Sequence, residues 1–174
     1  CYGVLDGGKA FPVTKDFLGQ YPTLVSAIAG RVTEQLKLGN SLELSDVQIL
    51  TPIPDPEKII CVGLNYAKKY PVEGQAPSLP TEPVVFARFK DTLVAHKESL
   101  QLPKMSPASE SYDYEGEIVA VIGEAAWQVS EAQALSHVFG YSIMNEGSVR
   151  GYQKHSVHAG KNFYRSGSWG PWIT

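Results

Sequence analysis

Cysteine is scarce in this chain of 174 residues: only Cys1 and Cys61 are present. One pair makes no disulfide framework, and a reducing compartment, the cytoplasm, is the simplest expectation. No apolar run approaches ~18 residues, so no transmembrane helix and no membrane partner are expected. The first residues show no signal-peptide pattern. Positive charge is not in excess. The net charge is −3, and Lys9, Lys15, Arg31, Lys37, Lys104, Arg150 and Arg165 are scattered without a stripe, which argues against a nucleic-acid partner. Internal repeats and low-complexity tracts are missing as well. There are four histidines. His137 reads as structural. His155 and His158 are three apart, but with no Cys or further His nearby a zinc site is not expected. The chain begins with Cys rather than Met, which hints at missing N-terminal sequence.

What is present is an ordinary globular composition, 43% hydrophobic and 19% charged. Residues 1–53 read as a small N-terminal α/β appendage. Tyr2–Leu5 and Ala10–Val13 flank Asp6-Gly7-Gly8-Lys9, a hairpin signal with glycine where positive φ is needed. A helix is expected from Leu24 through Val32, Leu36 and Leu38, ending at Gly39-Asn40. Leu42–Leu50 reads as a strand. The prolines of Pro52-Ile53-Pro54-Asp55-Pro56 mark a boundary, and residues 54–174 form the main domain. There, Lys58–Gly63 and Val84–Phe89 read as strands, and 71–83 reads as a proline-rich loop. Ser130 is expected to cap a helix over Glu131–Phe139 that ends at Gly140. Tyr141–Met144 reads as a strand, Ser148–His155 as a short helix, and Asn162–Trp172 as an ordered loop.

The most informative segment is Asp113-Tyr114-Glu115-Gly116-Glu117, followed at once by Ile118-Val119-Ala120-Val121-Ile122. The run shows no apolar/polar alternation, so it reads as a strand buried on both faces. Residues two apart on a strand share a side, which sets the two carboxylates in parallel, about 6.6 Å apart at Cα. Two like charges near an apolar interior are costly unless a shared proton, an Arg or Lys partner, or a divalent cation neutralises them. Oxygen-only ligands favour Mg²⁺, Mn²⁺ or Ca²⁺. The plainer reading is an exposed strand start with two solvated glutamates.

Several motifs then occur in one order: Cys61-Val62-Gly63-Leu64-Asn65-Tyr66, Phe86-Ala87-Arg88-Phe89-Lys90, the Tyr-Glu-x-Glu strand, Gly140-Tyr141 followed by Asn145-Glu146-Gly147-Ser148-Val149-Arg150, and Gly160-Lys161-Asn162-Phe163 with Gly170-Pro171-Trp172. Together they resemble the fumarylacetoacetate hydrolase family, in the branch acting on small 2-keto acids. The resemblance covers roughly residues 50 to 174. It implies an α+β fold, a mixed β-roll that is incomplete here, and assembly as a homodimer or a mixed oligomer. It also implies a divalent cation, Mg²⁺ or else Mn²⁺ or Ca²⁺, held by Glu115, Glu117 and Glu146. At Glu146 the family usually has Asp. Without the resemblance, Glu146 would read as a carboxylate facing a helix N-terminus.

By the same resemblance, Arg150, Gln153 and Lys161 are substrate-binding, and Lys161 is also catalytic. Arg150 and Gln153 are three apart on the expected helix and share a face. A planar guanidinium suits a carboxylate, although a salt bridge from Arg150 to a site glutamate is the competing reading. Lys161 would stabilise an enolate as it develops, or else be an exposed loop lysine. Arg88 stands where the family often has Lys, and reads either as a substrate contact or as exposed.

Three departures follow. Lys69, with Glu73 nearby, occupies the place of the His that serves hydrolytic members, and an ordinary lysine is a poor general base at neutral pH. Gly151 replaces an Asp. The family domain continues beyond Thr174 with more strands and a substrate loop, so a fragment or an incomplete site is expected. The implied activity is that of a metal-dependent hydrolase or lyase. It would act on small 2-keto acids by C–C cleavage, decarboxylation, hydration or isomerisation through an enolate. The alternative is a catalytically impaired metal-binding remnant or a partner subunit of a full-length relative.

Overall fold

The computed structural model describes residues 1–66, 80–104 and 109–174. The chain opens with β1 (Gly3–Asp6) and β2 (Lys9–Pro12), an antiparallel hairpin in which Asp6 pairs with Lys9. Its two-residue turn needs positive φ at both positions, and Gly7 and Gly8 adopt 54° and 78°. Next come α1 (Lys15–Gln20) and α2 (Leu24–Ala29). Thr14 accepts from Phe17 N, and Thr23 with Ser26 forms a reciprocal capping box. The helix expected to run from Leu24 to Leu38 therefore ends at Ala29, where Gly30 takes over. Helix α1 was not anticipated.

β3 is only Leu42–Glu43, pairing with β2, and a 3₁₀ turn over Leu44–Asp46 replaces the rest of the strand expected there. Val13, Phe17 and Ala27 form a buried cluster beneath this part, joined by Tyr2, Leu18, Tyr21, Val32 and Leu36.

β4 (Ile60–Gly63) and β5 (Val84–Ala87) pair antiparallel. β6 (Leu93–Val94) and β7 (Tyr112–Asp113) are short. β8 (Gly116–Ile122) is followed by α3, which covers only Glu131–Ala134. A 3₁₀ turn follows, and then β9 spans Val138–Asn145. This corrects the helix expected over Glu131–Phe139. Val138 and Phe139 belong to the strand, and Gly140 lies inside it rather than capping a helix. β10 (Ser148–Val149) pairs with β7, and α4 (Arg150–Gln153), α5 (Val157–Lys161) and β11 (Gly167–Trp169) complete the order. Ser148 and Val149 are thus strand rather than helix, and Gly167–Trp169, within the expected loop Asn162–Trp172, is strand.

The central sheet runs β6-β11-β9-β8 and is mixed, with β6 parallel to β11 and the other pairs antiparallel. Val121, Met144 and Trp169 form its buried cluster, with Ile53, Ile59, Leu93, Val119 and Ile173 packed on it. The opposite face is open among the described residues: Ile118 is 69% exposed and Ile143 is 67% exposed. The expectation that the 118–122 run is buried on both faces is therefore corrected. The run lacks alternation because both faces are apolar, and only one of them is covered.

Candidate active site

The β8–β9 register places the site. Gly116 pairs with Asn145 and Glu117 with Met144, so Glu115 and Glu146 emerge side by side where the ladder ends. Two bonds lock that end: Glu115 N–H donates to Asn145 Oδ1 (3.2 Å), and Glu146 N–H donates to Glu115 O (2.8 Å). Glu117 projects from the covered face of β8, the face it shares with Met144. Carboxylate oxygens of Glu115, Glu117 and Glu146 all lie within 4.8 Å of one another.

These glutamates are not solvated strand-start residues. Glu146 is 5% exposed. Burial pushes the Glu117 carboxyl above its ordinary range, the Glu146 and Glu115 charges push it further, and the Tyr66 hydroxyl acts against them. The Cys61 thiol is also pushed up, first by burial and then by its hydrogen bond to Glu146.

Lys161 closes the site from the other side. It is 3% exposed, and its Nζ donates to Glu146 Oε2 (2.6 Å) and Glu115 Oε1 (3.0 Å). It ends α5 rather than sitting in an exposed loop, and it lies 5.4 Å from the centre of the Phe86 ring. Ser156 caps α5 by accepting from Ala159 N. Asn162 pins the far end to β5: its Nδ2 donates to Ala87 O (3.0 Å), and its Oδ1 accepts from Phe89 N (2.9 Å). His158 Nε2 accepts from Ala87 N on the same edge.

Arg150 Nη2 sits 2.9 Å from Glu115 Oε1 and donates to Asp113 Oδ2 at 2.9 Å, while its Nη1 donates to Gln153 Oε1 (3.1 Å). Arg150 and Gln153 do share a face, and both competing readings of Arg150 remain compatible with its place, since it is half exposed and salt-bridged at once. Ser148 Oγ donates to Glu115 Oε1 and receives Gln153 Nε2 (3.4 Å).

The structure thus brings Glu115, Glu117, Glu146, Arg150, Gln153 and Lys161 into one cluster. Lys69 and Glu73 lie outside the described residues. His155 and His158 belong to no group of three metal-ligating side chains among the described residues. Sequence reasoning missed Asp113, Ser148 and Cys61, although each lies in or beside a quoted motif. The reading of Arg88 as exposed is corrected: it is 2% exposed.

The donor set fits a hard divalent cation. Two oxygens bound to one such ion at about 2.0–2.6 Å lie at most roughly 4–5 Å apart, and these three carboxylates meet that limit. They are oxygen-only and carry more negative charge than Lys161 alone balances.

Residues 58–174 match the family described as fumarylacetoacetate (FAA) hydrolase, C-terminal. The chain is 37% identical over 112 residues to the oxaloacetate tautomerase YisK of Bacillus subtilis, covering 64% of this chain and 36% of that protein. It is 31% identical over 138 residues to the mitochondrial oxaloacetate tautomerase FAHD2A of Bos taurus, covering 79% and 41%. The chain therefore spans about two fifths of the length of these curated relatives. Among solved structures, the 2-hydroxyhepta-2,4-diene-1,7-dioate isomerase of Mycobacterium marinum is similar, with 34% identity and a TM-score of 0.65, covering 78% of this chain and 48% of that one. The mixed sheet, the order of motifs and the carboxylate cluster at the ladder's end therefore have one explanation: the chain belongs to the fumarylacetoacetate hydrolase family.

Proposed function

We propose that Glu115, Glu117 and Glu146 hold Mg²⁺, or Mn²⁺ in its place, and that the site interconverts the keto and enol forms of a small 2-keto acid. The observation that carries this reading is the convergence of three carboxylates, their oxygens within 4.8 Å of one another, two of them held by the buried ammonium of Lys161. When bound, the cation supplies Lewis-acid stabilisation of negative charge on the substrate's 2-oxygen.

The chain's own residues do the rest. The Lys161 ammonium, held between two carboxylates, directs a fixed positive charge at the same oxygen, at a site too buried for water to screen it. Arg150 lies half exposed at the rim and offers a guanidinium to the substrate carboxylate, while Asp113 and Gln153 fix its orientation. The relatives quoted above are oxaloacetate tautomerases and an isomerase by name. They support a reaction that moves a proton rather than one that breaks a C–C bond.

The test is Mn²⁺ titration by EPR, paired with the ultraviolet decay of enol-oxaloacetate. One ion per chain and a decay accelerated by protein, abolished by EDTA and restored by Mg²⁺ are expected. A protein that retains no Mn²⁺ would overturn the reading. Unchanged decay with bound Mn²⁺ would overturn the reaction but not the ion site.

A further inference from the structure

Arg88 follows β5 and is almost wholly buried. Among the described residues no carboxylate lies within ion-pairing distance of it. A buried cation in that position must satisfy its N–H groups with neutral acceptors. It does so with three acceptors from three chain segments: Nε donates to Thr92 Oγ1 (3.3 Å), Nη1 to Gly147 O (3.1 Å) and Nη2 to Ser166 Oγ (3.3 Å). The acceptors are themselves tied. Thr92 Oγ1 donates to Phe89 O, Ser166 Oγ donates to Phe163 O, and Ser166 O receives the Tyr112 hydroxyl at 2.6 Å.

Gly147 is the hinge of this arrangement. It lies between Glu146, which Lys161 grips, and Ser148, whose hydroxyl donates to Glu115. A Cβ at Gly147 would collide with Ser166 O and the Tyr112 hydroxyl, so this peptide is confined on its open side as well.

We propose that Arg88 is a positioning residue: its guanidinium fork, through the Gly147 carbonyl, fixes the Gly147–Ser148 peptide and with it the turn that carries Glu146 into the carboxylate cluster. The inference rests on the ion-site reading only for the consequence it has on cation affinity. The fork matters more than the charge, because three acceptors are met by three different nitrogens of one plane. A lysine ammonium is a single point and cannot occupy all three places. Burial lowers the Arg88 pKa, and the Glu146 charge works in the opposite direction. That is the electrostatic trace of the same neighbourhood.

The test uses the 174-residue chain, at a temperature where melts show each variant folded. Mn²⁺ affinity is measured for the parent, Arg88→Lys, Glu146→Gln and the double variant. Arg88→Lys is expected to weaken Mn²⁺ by about 10–100-fold, the usual effect of an outer-shell partner. In the Glu146→Gln background the same change should cost less than about twofold, because a residue acting through Glu146 has nothing left to act on. Equal losses in both backgrounds, or a lysine variant indistinguishable from the parent, would overturn the proposal. Ser166→Ala, which keeps Arg88 and removes one acceptor, should shift affinity in the same direction by less, and it serves if Arg88→Lys does not fold.

Amide hydrogen exchange reads the positioning without any ion. Arg88→Lys should speed exchange at Glu146 N, bonded to Glu115 O, and leave Val119 and Val121 in mid-β8 unchanged. If the parent binds no Mn²⁺, the ion reading fails and this exchange decides the proposal alone. Unchanged exchange at Glu146 would then overturn it.

Discussion

Lys161 Nζ lies 2.6 Å from Glu146 Oε2, and both side chains are more than nine-tenths buried. The same ammonium reaches Glu115 at 3.0 Å, so one lysine bridges two carboxylates that the end of the β8–β9 ladder forces together, with half-exposed Arg150 as a second partner of Glu115. Removing one member of a buried ion pair leaves an uncompensated charge, which costs about 3–5 kcal/mol. Lys161→Met should therefore destabilise the cation-free protein by an amount of that order. Added Mg²⁺ should recover a large part of the loss, because the ion takes over the compensation. Melting midpoints of the variant with and without Mg²⁺ check this. A variant as stable as its parent in EDTA would show that the pair is not what neutralises the cluster.

The parent protein should respond to the ion too. A ligand bound only to the native state stabilises it by RT ln(1 + [L]/Kd), about 2.7 kcal/mol at a hundred times Kd. Thermal melts in Mg²⁺ and in EDTA are expected to differ by several degrees. Coincident midpoints across a Mg²⁺ titration would sink the carboxylate cluster as an ion site.

Much of this arrangement was legible in the chain, for reasons that differ from residue to residue. Glu115 and Glu117 stood out because paired acids rarely open an apolar run, and Gly7-Gly8 because a two-residue turn needs positive φ. Glu146 was recognisable only by its place in an ordered set of motifs, since nothing local distinguishes it from a helix-start carboxylate. Lys161 was expected beside the cluster, but its burial was not readable, because burial comes from α5 docking on β5 through Asn162 and His158. The burial of Arg88 was hidden for the same reason: its partners, Gly147 and Ser166, are distant in sequence. The strand Val138–Asn145 was split between an expected helix and an expected strand because Ser130 is a plausible cap and Gly140 a plausible stop. Pairing with β8 across Val121↔Gly140 overrode both signals.

Glu117 offers a test that separates charge from fold. Burial and two neighbouring carboxylates hold its carboxyl above the ordinary range, so its ionised form is disfavoured in the cation-free protein. Glu117→Gln keeps the shape and removes the charge. The variant should melt at or slightly above the parent in EDTA. It should bind Mn²⁺ more weakly, by at least the ~10–100-fold typical of outer-shell partners. Calorimetric titration giving parental affinity would remove Glu117 from the ligand set.

Glu98 supplies a pH prediction away from the cluster but mechanically linked to it. Its Oε2 accepts Ala95 N–H at 3.0 Å and the Arg165 guanidinium at 3.0 Å. Arg165 is the neighbour of Ser166, one of the three acceptors of Arg88, so this contact steadies the loop that supports the site. The Ala95 bond is the main reason the Glu98 carboxyl sits below its ordinary value of 4.5, with Arg165 adding to it and burial opposing. A carboxyl whose pKa is lower in the folded state contributes stability above its unfolded pKa. That contribution is lost as pH falls through the folded value. The parent should therefore outlast Glu98→Gln by a constant margin near neutral pH. The margin should shrink as the pH drops below about 4.5, the group's ordinary value. Midpoints of both proteins measured from neutral pH down to roughly pH 3 would show the two curves converging on the acid side. A margin that stays constant down to the lowest pH would mean that the folded protein does not hold Glu98 ionised against the proton, and that its bonds to Ala95 and Arg165 are not what steadies this loop.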